Sequence, residues 1–230
     1  MKFGVVTFPG SNGDYDACHA AADAIGQECV YLWHKDHDLK GCDVIVLPGG
    51  FSYGDYLRPG AIARFSPIMN EVVAHAKRGA PVLAICNGFQ VACEAGLLPG
   101  ALLRNASLRF VSRLVTMRVE NDSSMFTHEY YKGQVLSVPV AHGDGRYTAD
   151  PDVVARLEGE GRVAFRYCST SGHIGDEDNI NGSVNGIAGI INAAGNVLGM
   201  MPHPERAVDP VIGTTDGLGV FHSLLDGVPA

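Results

Sequence analysis

The chain has 230 residues, 46% of them hydrophobic and 18% charged, which is typical of a globular protein able to bury a sizeable core. Its 25 acidic and 17 basic residues give a formal net charge of −8, which argues against a protein that binds nucleic acid or anionic membranes, because both need basic patches. No apolar run approaches the ~18 residues of a membrane span.

The first half of the chain alternates short apolar runs with helical segments. Strands are predicted over 3–8, 28–34, 43–47 and 82–85. A helix is predicted up to about residue 25, with Asp14 or Asp16 as its capping residue. A second helical segment leads to about residue 77, and we expect Pro67 to break or restart it. Strands and helices at this short spacing imply right-handed crossovers and a parallel sheet.

The second half of the chain has a different pattern. Strands are predicted over 108–120, 135–140 and 162–168, with a short helix over 152–157 and a closing helix over 218–225. Two further runs, 187–191 and 197–201, flank a turn-forming segment and predict a hairpin. The sequence therefore predicts one α/β domain over residues 1–230. Its central sheet is mostly parallel and flanked by helices, with antiparallel strands added in the second half.

A cysteine stands where the strand over 82–85 turns into a helix. At such a turn we expect the Cys86 sulfur to be exposed, and the positive end of the helix dipole favours its thiolate form. The neighbours Ala84 and Gly88 are small, as a tight nucleophile elbow requires. Since free cysteine also behaves as a small hydrophobe, this stretch alone leaves a nucleophile and a buried structural thiol equally open.

A histidine and a glutamate follow the predicted hairpin, two residues apart in the segment His203-Pro204-Glu205. We expect an extended backbone here, because a proline disfavours helical geometry in the residue before it. Residues two apart on an extended chain share a side, so Glu205 can orient the imidazole and stabilise its charged form. An unpaired, solvated histidine and glutamate is the alternative. Both Cys86 and His203 would lie at the carboxyl ends of strands, where α/β sites form.

Two glycines follow the third predicted strand, and acyl-transfer chemistry would use their backbone N–H groups. A nucleophile that attacks a carbonyl needs backbone N–H donors for the developing oxyanion. The N–H of Asn87 is one candidate, and Gly49-Gly50 can supply another because glycine allows unusual backbone directions. A plain turn is the alternative for this glycine pair.

The six cysteines are scattered along the chain without Cys-x-x-Cys pairs or zinc-finger spacing. In a chain of this length we interpret them as reduced thiols. The N-terminal residues enter a strand directly and do not form a signal-peptide pattern. The sequence therefore predicts a cytoplasmic protein without a metal site.

Taken together, these segments resemble the class I, Cys-His-Glu glutamine amidotransferases, whose fold is flavodoxin-like. The resemblance covers nearly the whole chain, and two blocks point to the branch of separate glutaminase chains that serve an ATP-dependent synthase of purine biosynthesis. The blocks that carry the resemblance are 8–12, 49–61, 85–90, 139–145, 181–186 and 201–206.

The resemblance implies a role for each matching residue. It makes Cys86 the nucleophile that forms a glutamyl thioester, His203 the general base and acid, and Glu205 the residue that orients the histidine. It assigns the oxyanion to the N–H groups of Gly50 and Asn87. The substrate contacts that it implies are Gly49, Gln90, Asn185 and Gly186.

The resemblance also implies partners. Neither a phosphate-binding loop nor a dinucleotide fingerprint occurs in the sequence, so ATP and magnesium are expected on a large synthase subunit, with a small third subunit bridging the two chains. No cofactor is expected on this chain. Exposed aromatic and arginine side chains favour interfaces, so the docking candidates are Tyr53, Tyr56, Arg58 and the loop around His142, although these residues could instead only pack their loops. The alternatives are an amidotransferase that serves another synthase, or a non-catalytic sensor with an elbow cysteine.

Overall fold

A computed structural model describes residues 1–227 of the chain, except for the side chains of residues 226 and 227. Nine strands form one sheet in the order β2-β1-β3-β4-β11-β10-β9-β6-β7, and β5 and β8 form a separate small sheet. The strands are β1 Lys2–Thr7, β2 Glu28–Trp33, β3 Val44–Leu47, β4 Val82–Ile85, β5 Ala101–Leu103, β6 Val111–Val119, β7 Val135–His142, β8 Arg146–Thr148, β9 Val163–Tyr167, β10 Ile187–Ile191 and β11 Val197–Met200. The helices are α1 Asp14–His19, α2 Pro67–Lys77, α3 Asn87–Glu94, α4 Pro151–Gly159 and α5 Leu218–Gly227.

The first half of the chain forms the parallel part of the large sheet. Strand β1 pairs in parallel with β2 and β3, and β3 pairs in parallel with β4. Every residue of β3 and β4 is buried, as expected for apolar strands that are covered on both faces. The predicted α/β fold is confirmed here.

The second half extends the same sheet with antiparallel strands. Strands β10 and β11 form the predicted hairpin, and β9, β6 and β7 continue from it in antiparallel pairs. Strand β11 lies parallel to β4, so the chain leaves β11 next to the end of β4. The Cys86 N–H donates to the carbonyl of Met200 over 2.8 Å, which fixes the two strand ends side by side.

One local prediction was wrong, and one small sheet was not predicted. The first helix is capped by the backbone of Gly13 rather than by a side chain, and it continues after His19 as a π-helical turn. The Asp16 carboxylate instead accepts a hydrogen bond from Arg206, 190 residues away in the chain. The small β5–β8 sheet was missed, because strands of three residues are too short to show a periodicity.

The prediction that all six cysteines are reduced was also wrong. Cys18 of α1 and Cys29 of β2 form a disulfide, with their Cα atoms 5.7 Å apart. The reason is the packing of α1 against β2, which brings together two residues whose spacing matches no recognised disulfide pattern. The other four cysteines are free.

Helices long and apolar enough to cross a membrane do not occur among residues 1–227.

Candidate active site

The backbone at the start of α3 turns sharply at Cys86. Its φ of +51° is a left-handed value that costs a residue with a side chain about 1–3 kcal/mol. Such strain is held only where the surroundings over-determine it, and it is common at functional sites. The sulfur is not exposed, as had been expected, because the end of β7 covers it: Cys86 is only 4% exposed, and its Sγ lies 3.7 Å from the carbonyl oxygen of Ala141.

Small residues let the strand and the helix meet at this turn. A Cβ added at Gly88 would lie 1.9 Å from the carbonyl oxygen of Leu47, so α3 packs directly on the backbone of β3. Ala84 is completely buried on the preceding strand. The predicted requirement for a small residue at Gly88 is therefore confirmed.

His203 and Glu205 form a buried pair beside Cys86. Nδ1 of His203 lies 2.6 Å from Oε1 of Glu205, and both residues are at most 2% exposed. A tight 3-10 turn over Pro204–Arg206 makes this contact, rather than the extended backbone that had been expected. The backbone N–H of His203 donates to the carbonyl of Pro139 on β7, which holds the start of the turn in place.

The surroundings of His203 favour its charged form. Burial by itself disfavours an imidazolium, but the negative charges of Glu205 and of a Cys86 thiolate outweigh it and raise the pKa of His203. Behind this pair, Nε of Arg206 lies 2.8 Å from Asp16 and 3.9 Å from Glu205. The arrangement can therefore hold a thiolate next to an imidazolium. The carboxylate partner of that imidazolium, Glu205, lies beside Arg206, which binds Asp16 of α1.

The glycine pair after β3, Gly49 and Gly50, lies next to Cys86 and His203. A Cβ added at Gly49 would lie 2.7 Å from Cε1 of His203 and 3.6 Å from Cβ of Cys86, so Gly49 lies against the His203 ring and close to Cys86. Gly50 has a φ of +146° and packs against the backbone of Gly10. Among the described residues, neither the N–H of Gly50 nor that of Asn87 donates a hydrogen bond. Gly50 lines the same cavity as Cys86, and Asn87 follows Cys86 directly in the chain, so these two free donors are the candidates for the predicted oxyanion hole.

A cavity of about 210 Å³ opens on the sulfur. A volume of this size admits a single small molecule and excludes a folded polymer. The cavity is lined by Gly50, Phe51, Asp55, Cys86, Gln90, Arg104, Leu108, Phe110, Ala141, His142, Gly143 and Asp144.

The predicted substrate contact Gln90 lines this cavity, but its amide is already engaged. Its Nε2 donates to the carbonyl of Asp144 over 2.7 Å, and its Oε1 accepts from Nδ2 of Asn87 over 2.8 Å. Gln90 therefore connects the elbow to the loop after β7, in addition to facing the cavity.

The structure does not bring Asn185 and Gly186 to Cys86. Both line a separate cavity of about 1080 Å³, where Nδ2 of Asn185 donates to Glu158 and its carbonyl accepts from Arg166. This larger cavity contains no cysteine, and among its lining residues no histidine occurs either. We therefore leave Asn185 and Gly186 out of the proposed substrate contacts.

Four cavity residues with titratable side chains were not predicted as site residues: Asp55, Arg104, His142 and Asp144. Asp55 and Asp144 lie within blocks of the resemblance without an assigned role, His142 had been considered only for docking, and Arg104 belongs to no motif. His142 is buried, and its Nδ1 lies 3.1 Å from Oδ1 of Asn105. Burial, with His203 nearby, lowers the pKa of His142 to about 4, so its ring is neutral near pH 7.

Comparison with known proteins agrees with this geometry. Residues 1–215 match the CobB/CobQ-like glutamine amidotransferase domain. The chain is 60% identical to phosphoribosylformylglycinamidine synthase subunit PurQ of Chlorobaculum tepidum, over 97% of this chain and 96% of that protein. It is 57% identical to the subunit of the same name from Salinibacter ruber, over 99% and 97% of the two chains. A chain of the solved structure of PurLQS from Thermotoga maritima superposes with a TM-score of 0.87 at 44% identity, covering 98% of this chain and 97% of that one.

Proposed function

Because the chain belongs to the CobB/CobQ-like glutamine amidotransferase family, we propose that it is the glutaminase subunit of a phosphoribosylformylglycinamidine synthase, which acts in purine biosynthesis. It hydrolyses glutamine to glutamate and ammonia and passes the ammonia to a synthase subunit. Residues 1–230 act as a single amidotransferase domain. The observation that carries the proposal is the meeting of the strained Cys86 with the buried His203–Glu205 pair at Gly49.

The first half of the reaction forms a thioester. His203 takes the Cys86 proton, and the thiolate attacks the side-chain carbonyl carbon of glutamine. The N–H groups of Gly50 and Asn87 stabilise the negative charge that develops on the carbonyl oxygen. The C–N bond then breaks, and His203 gives its proton to the departing ammonia.

The second half of the reaction returns the free enzyme. A water molecule loses a proton to His203 and attacks the thioester carbonyl, again with the oxyanion held by the two backbone donors. The C–S bond breaks, glutamate leaves, and Cys86 recovers its proton from His203. Glu205 keeps the imidazole in one tautomer and orientation through both halves. Gly49 holds the ring in place by contact, and Gln90 faces the substrate.

A Glu205→Gln variant should slow glutamine hydrolysis by about 10²–10⁴-fold, because the imidazolium loses the carboxylate that stabilises it. Removing that charge also lowers the pKa of His203. The alkaline limb of the pH–rate profile should therefore move to lower pH. The measurement is the pH dependence of kcat/KM, with Glu71→Gln on α2 as a matched control that leaves the profile unchanged. A Glu205→Gln profile that coincides with wild type would rule out the proposed role of Glu205.

The partners follow from the proposed reaction. We propose that the chain docks on a large ATP-dependent synthase subunit together with a small bridging subunit. The similar solved structure from Thermotoga maritima is named PurLQS, which is consistent with such an assembly. The chain itself needs no cofactor, and ATP and magnesium belong to the large subunit. The complex works in the cytoplasm, where ATP is supplied.

Exposed aromatic and aliphatic side chains in the loop after β3 and at the cavity rim are the proposed docking face. Tyr56 and Leu57 are 75% and 85% exposed, and Leu108 is 73% exposed. Two of the earlier docking candidates have other partners. The hydroxyl of Tyr53 lies 2.7 Å from Nδ1 of His34, and Arg58 forms a two-point ion pair with Glu94. The proposed contact therefore rests on Tyr56 and its apolar neighbours.

The glutaminase activity of the isolated chain should be weak and should rise at least about tenfold when the synthase subunits are added, because docking covers the exposed mouth and shields the oxyanion and the imidazolium from bulk solvent. The measurement is glutamate release from glutamine with and without the partner proteins. A chelator and the omission of ATP should leave the rate of the isolated chain unchanged. Equal rates with and without the synthase subunits would contradict the proposed coupling.

A further inference from the structure

A second cavity borders the catalytic pair at Glu205. It has a volume of about 460 Å³ and is lined by Glu205 together with Asp16 and Arg206, but not by Cys86 or His203. The side chains of Asp16 and Arg206 are partly exposed, whereas that of Glu205 is fully buried. The ion pair of Asp16 and Arg206 is therefore the part of this cluster that solvent reaches.

The carboxylate of Glu205 has few partners for a buried charge. Its Oε1 lies 2.6 Å from Nδ1 of His203, and its Oε2 has no hydrogen-bond partner among the described residues. Within the described part of the chain, only two cationic side chains pair with it, those of His203 and Arg206. Because a buried carboxylate is costly unless a positive charge compensates it, Glu205 depends on whichever of these two groups is positive.

Arg206 is held next to Glu205 by both its neighbours and a distant helix. It is the last residue of the 3-10 turn, and its Nε lies 3.9 Å from Oε1 of Glu205. The same Nε donates to Oδ2 of Asp16 over 2.8 Å. A partly exposed arginine without such a partner is free to turn into solvent, because its side chain is long and its charged end is readily hydrated. Asp16 lies on α1, which the Cys18–Cys29 disulfide joins to β2, so it holds the arginine from a fixed helix.

The positive charge of Arg206 matters most after ammonia has left. At that stage the sulfur of Cys86 is uncharged in the thioester, and His203 is neutral because it has given its proton to ammonia. Arg206 is then the one cation paired with Glu205 among the described residues. Without it, the pair of His203 and Glu205 would take up a proton from solvent to compensate the buried charge. That proton would occupy Nε2 of His203, so the ring could no longer accept the proton of the attacking water.

We propose that Arg206 and Asp16 are positioning residues for the hydrolysis of the thioester: Arg206 compensates the charge of Glu205 while His203 is neutral, and Asp16 holds Arg206 in place. The inference rests on the proposed glutaminase function and adds two residues to it. Neither of them lines the cavity at Cys86, so neither contacts the bound glutamine. The two halves of the reaction therefore differ in their dependence on this ion pair.

The test separates the two halves of the reaction in the assembled complex with the synthase subunits. The variants are Arg206→Met, Arg206→Lys, Asp16→Asn and the double variant with Asp16→Asn and Arg206→Met. Asp14→Asn is the matched control, because Asp14 lies in the same first turn of α1 but forms no ion pair within residues 1–227. The measurements are kcat and KM for glutamine and, by acid quench and peptide mass spectrometry, the fraction of Cys86 that carries the glutamyl thioester during turnover.

Arg206→Met should lower kcat about 10- to 100-fold and leave kcat/KM within about threefold of wild type, because only the second half of the reaction is slowed. The thioester should accumulate on most of the Cys86. Arg206→Lys keeps the positive charge and should restore most of the rate. Asp16→Asn should change the same quantities in the same direction by a smaller factor. The double variant should be no slower than Arg206→Met, since Asp16 acts through Arg206, and Asp14→Asn should match wild type.

Wild-type kinetics in Arg206→Met would overturn the inference. So would an equal fall in kcat and kcat/KM without accumulated thioester, since the ion pair would then only stabilise the fold. If Arg206→Met fails to fold, Asp16→Asn decides: accumulated thioester supports the inference, and its absence overturns it. A wild-type complex that releases no glutamate from glutamine would instead overturn the proposed glutaminase function.

Discussion

Replacing Cys86 with serine should reduce glutamine-dependent synthesis by the complex about a thousandfold or more, while synthesis from added ammonia stays at the wild-type rate. The thiolate is the only group that can form the thioester, and a serine hydroxyl at the same position is far less ionised. The synthase subunit receives ammonia in either case, so its own chemistry does not depend on this sulfur. The measurement is product formation with glutamine and, separately, with ammonium chloride.

Cys93→Ser is the matched control for this prediction. Cys93 lies on the same helix α3, but it does not line the cavity. Both activities should survive that substitution. If Cys86→Ser lost the ammonia-dependent activity as well, the residue would be structural. If it kept the glutamine-dependent activity, Cys86 would not be the nucleophile.

A Gly88→Ala variant should be destabilised by about 3 kcal/mol and should lose glutaminase activity. The new methyl group would lie 1.9 Å from the carbonyl oxygen and 2.5 Å from the carbonyl carbon of Leu47, and alanine has no side-chain rotation that relieves an overlap with backbone atoms. For a chain of this size the loss corresponds to a fall in Tm of roughly 6–12 °C. Any shift of α3 that accommodates the methyl group also displaces Cys86 and the N–H of Asn87. Thermal unfolding followed by circular dichroism measures the first effect.

Gly159→Ala provides the control for the glycine prediction. Gly159 also lies in a helix, but a Cβ added there meets no atom within 4 Å, and its backbone is not left-handed. Alanine is the better helix former by about 0.5–1 kcal/mol, so this variant should be as stable as wild type or slightly more so. A Gly88→Ala protein that melts together with Gly159→Ala would show that α3 does not pack on β3 as described.

Local patterns were sufficient to predict the parallel core and the position of the nucleophile. The runs Val44–Leu47 and Val82–Ile85 are apolar throughout, and a strand buried on both faces has that pattern in any α/β protein. The pairing of His203 with Glu205 was expected from their spacing, but the backbone conformation that produces it was not. The proline begins a 3-10 turn that brings the two side chains together, whereas an extended chain had been expected.

Features that depend on distant neighbours could not be predicted from the sequence. Arg104 reaches the cavity only because the chain between α3 and β6 returns to the elbow, and no residue near it in sequence indicates that position. The disulfide between Cys18 and Cys29 likewise depends on how α1 packs against β2. The resemblance implied a substrate contact at Asn185, but the path of the chain places this residue in a different cavity.

The thioester on Cys86 is the most direct test of the proposed chemistry. The complex is allowed to turn over labelled glutamine, quenched in acid and digested, and the peptides are analysed by mass spectrometry. The peptide that contains Cys86 should carry a glutamyl group joined through sulfur, and the same peptide from Cys86→Ser should carry none. Steady release of labelled glutamate with the glutamyl group on another residue, or on no residue of this chain, would contradict the assignment of Cys86 as the nucleophile.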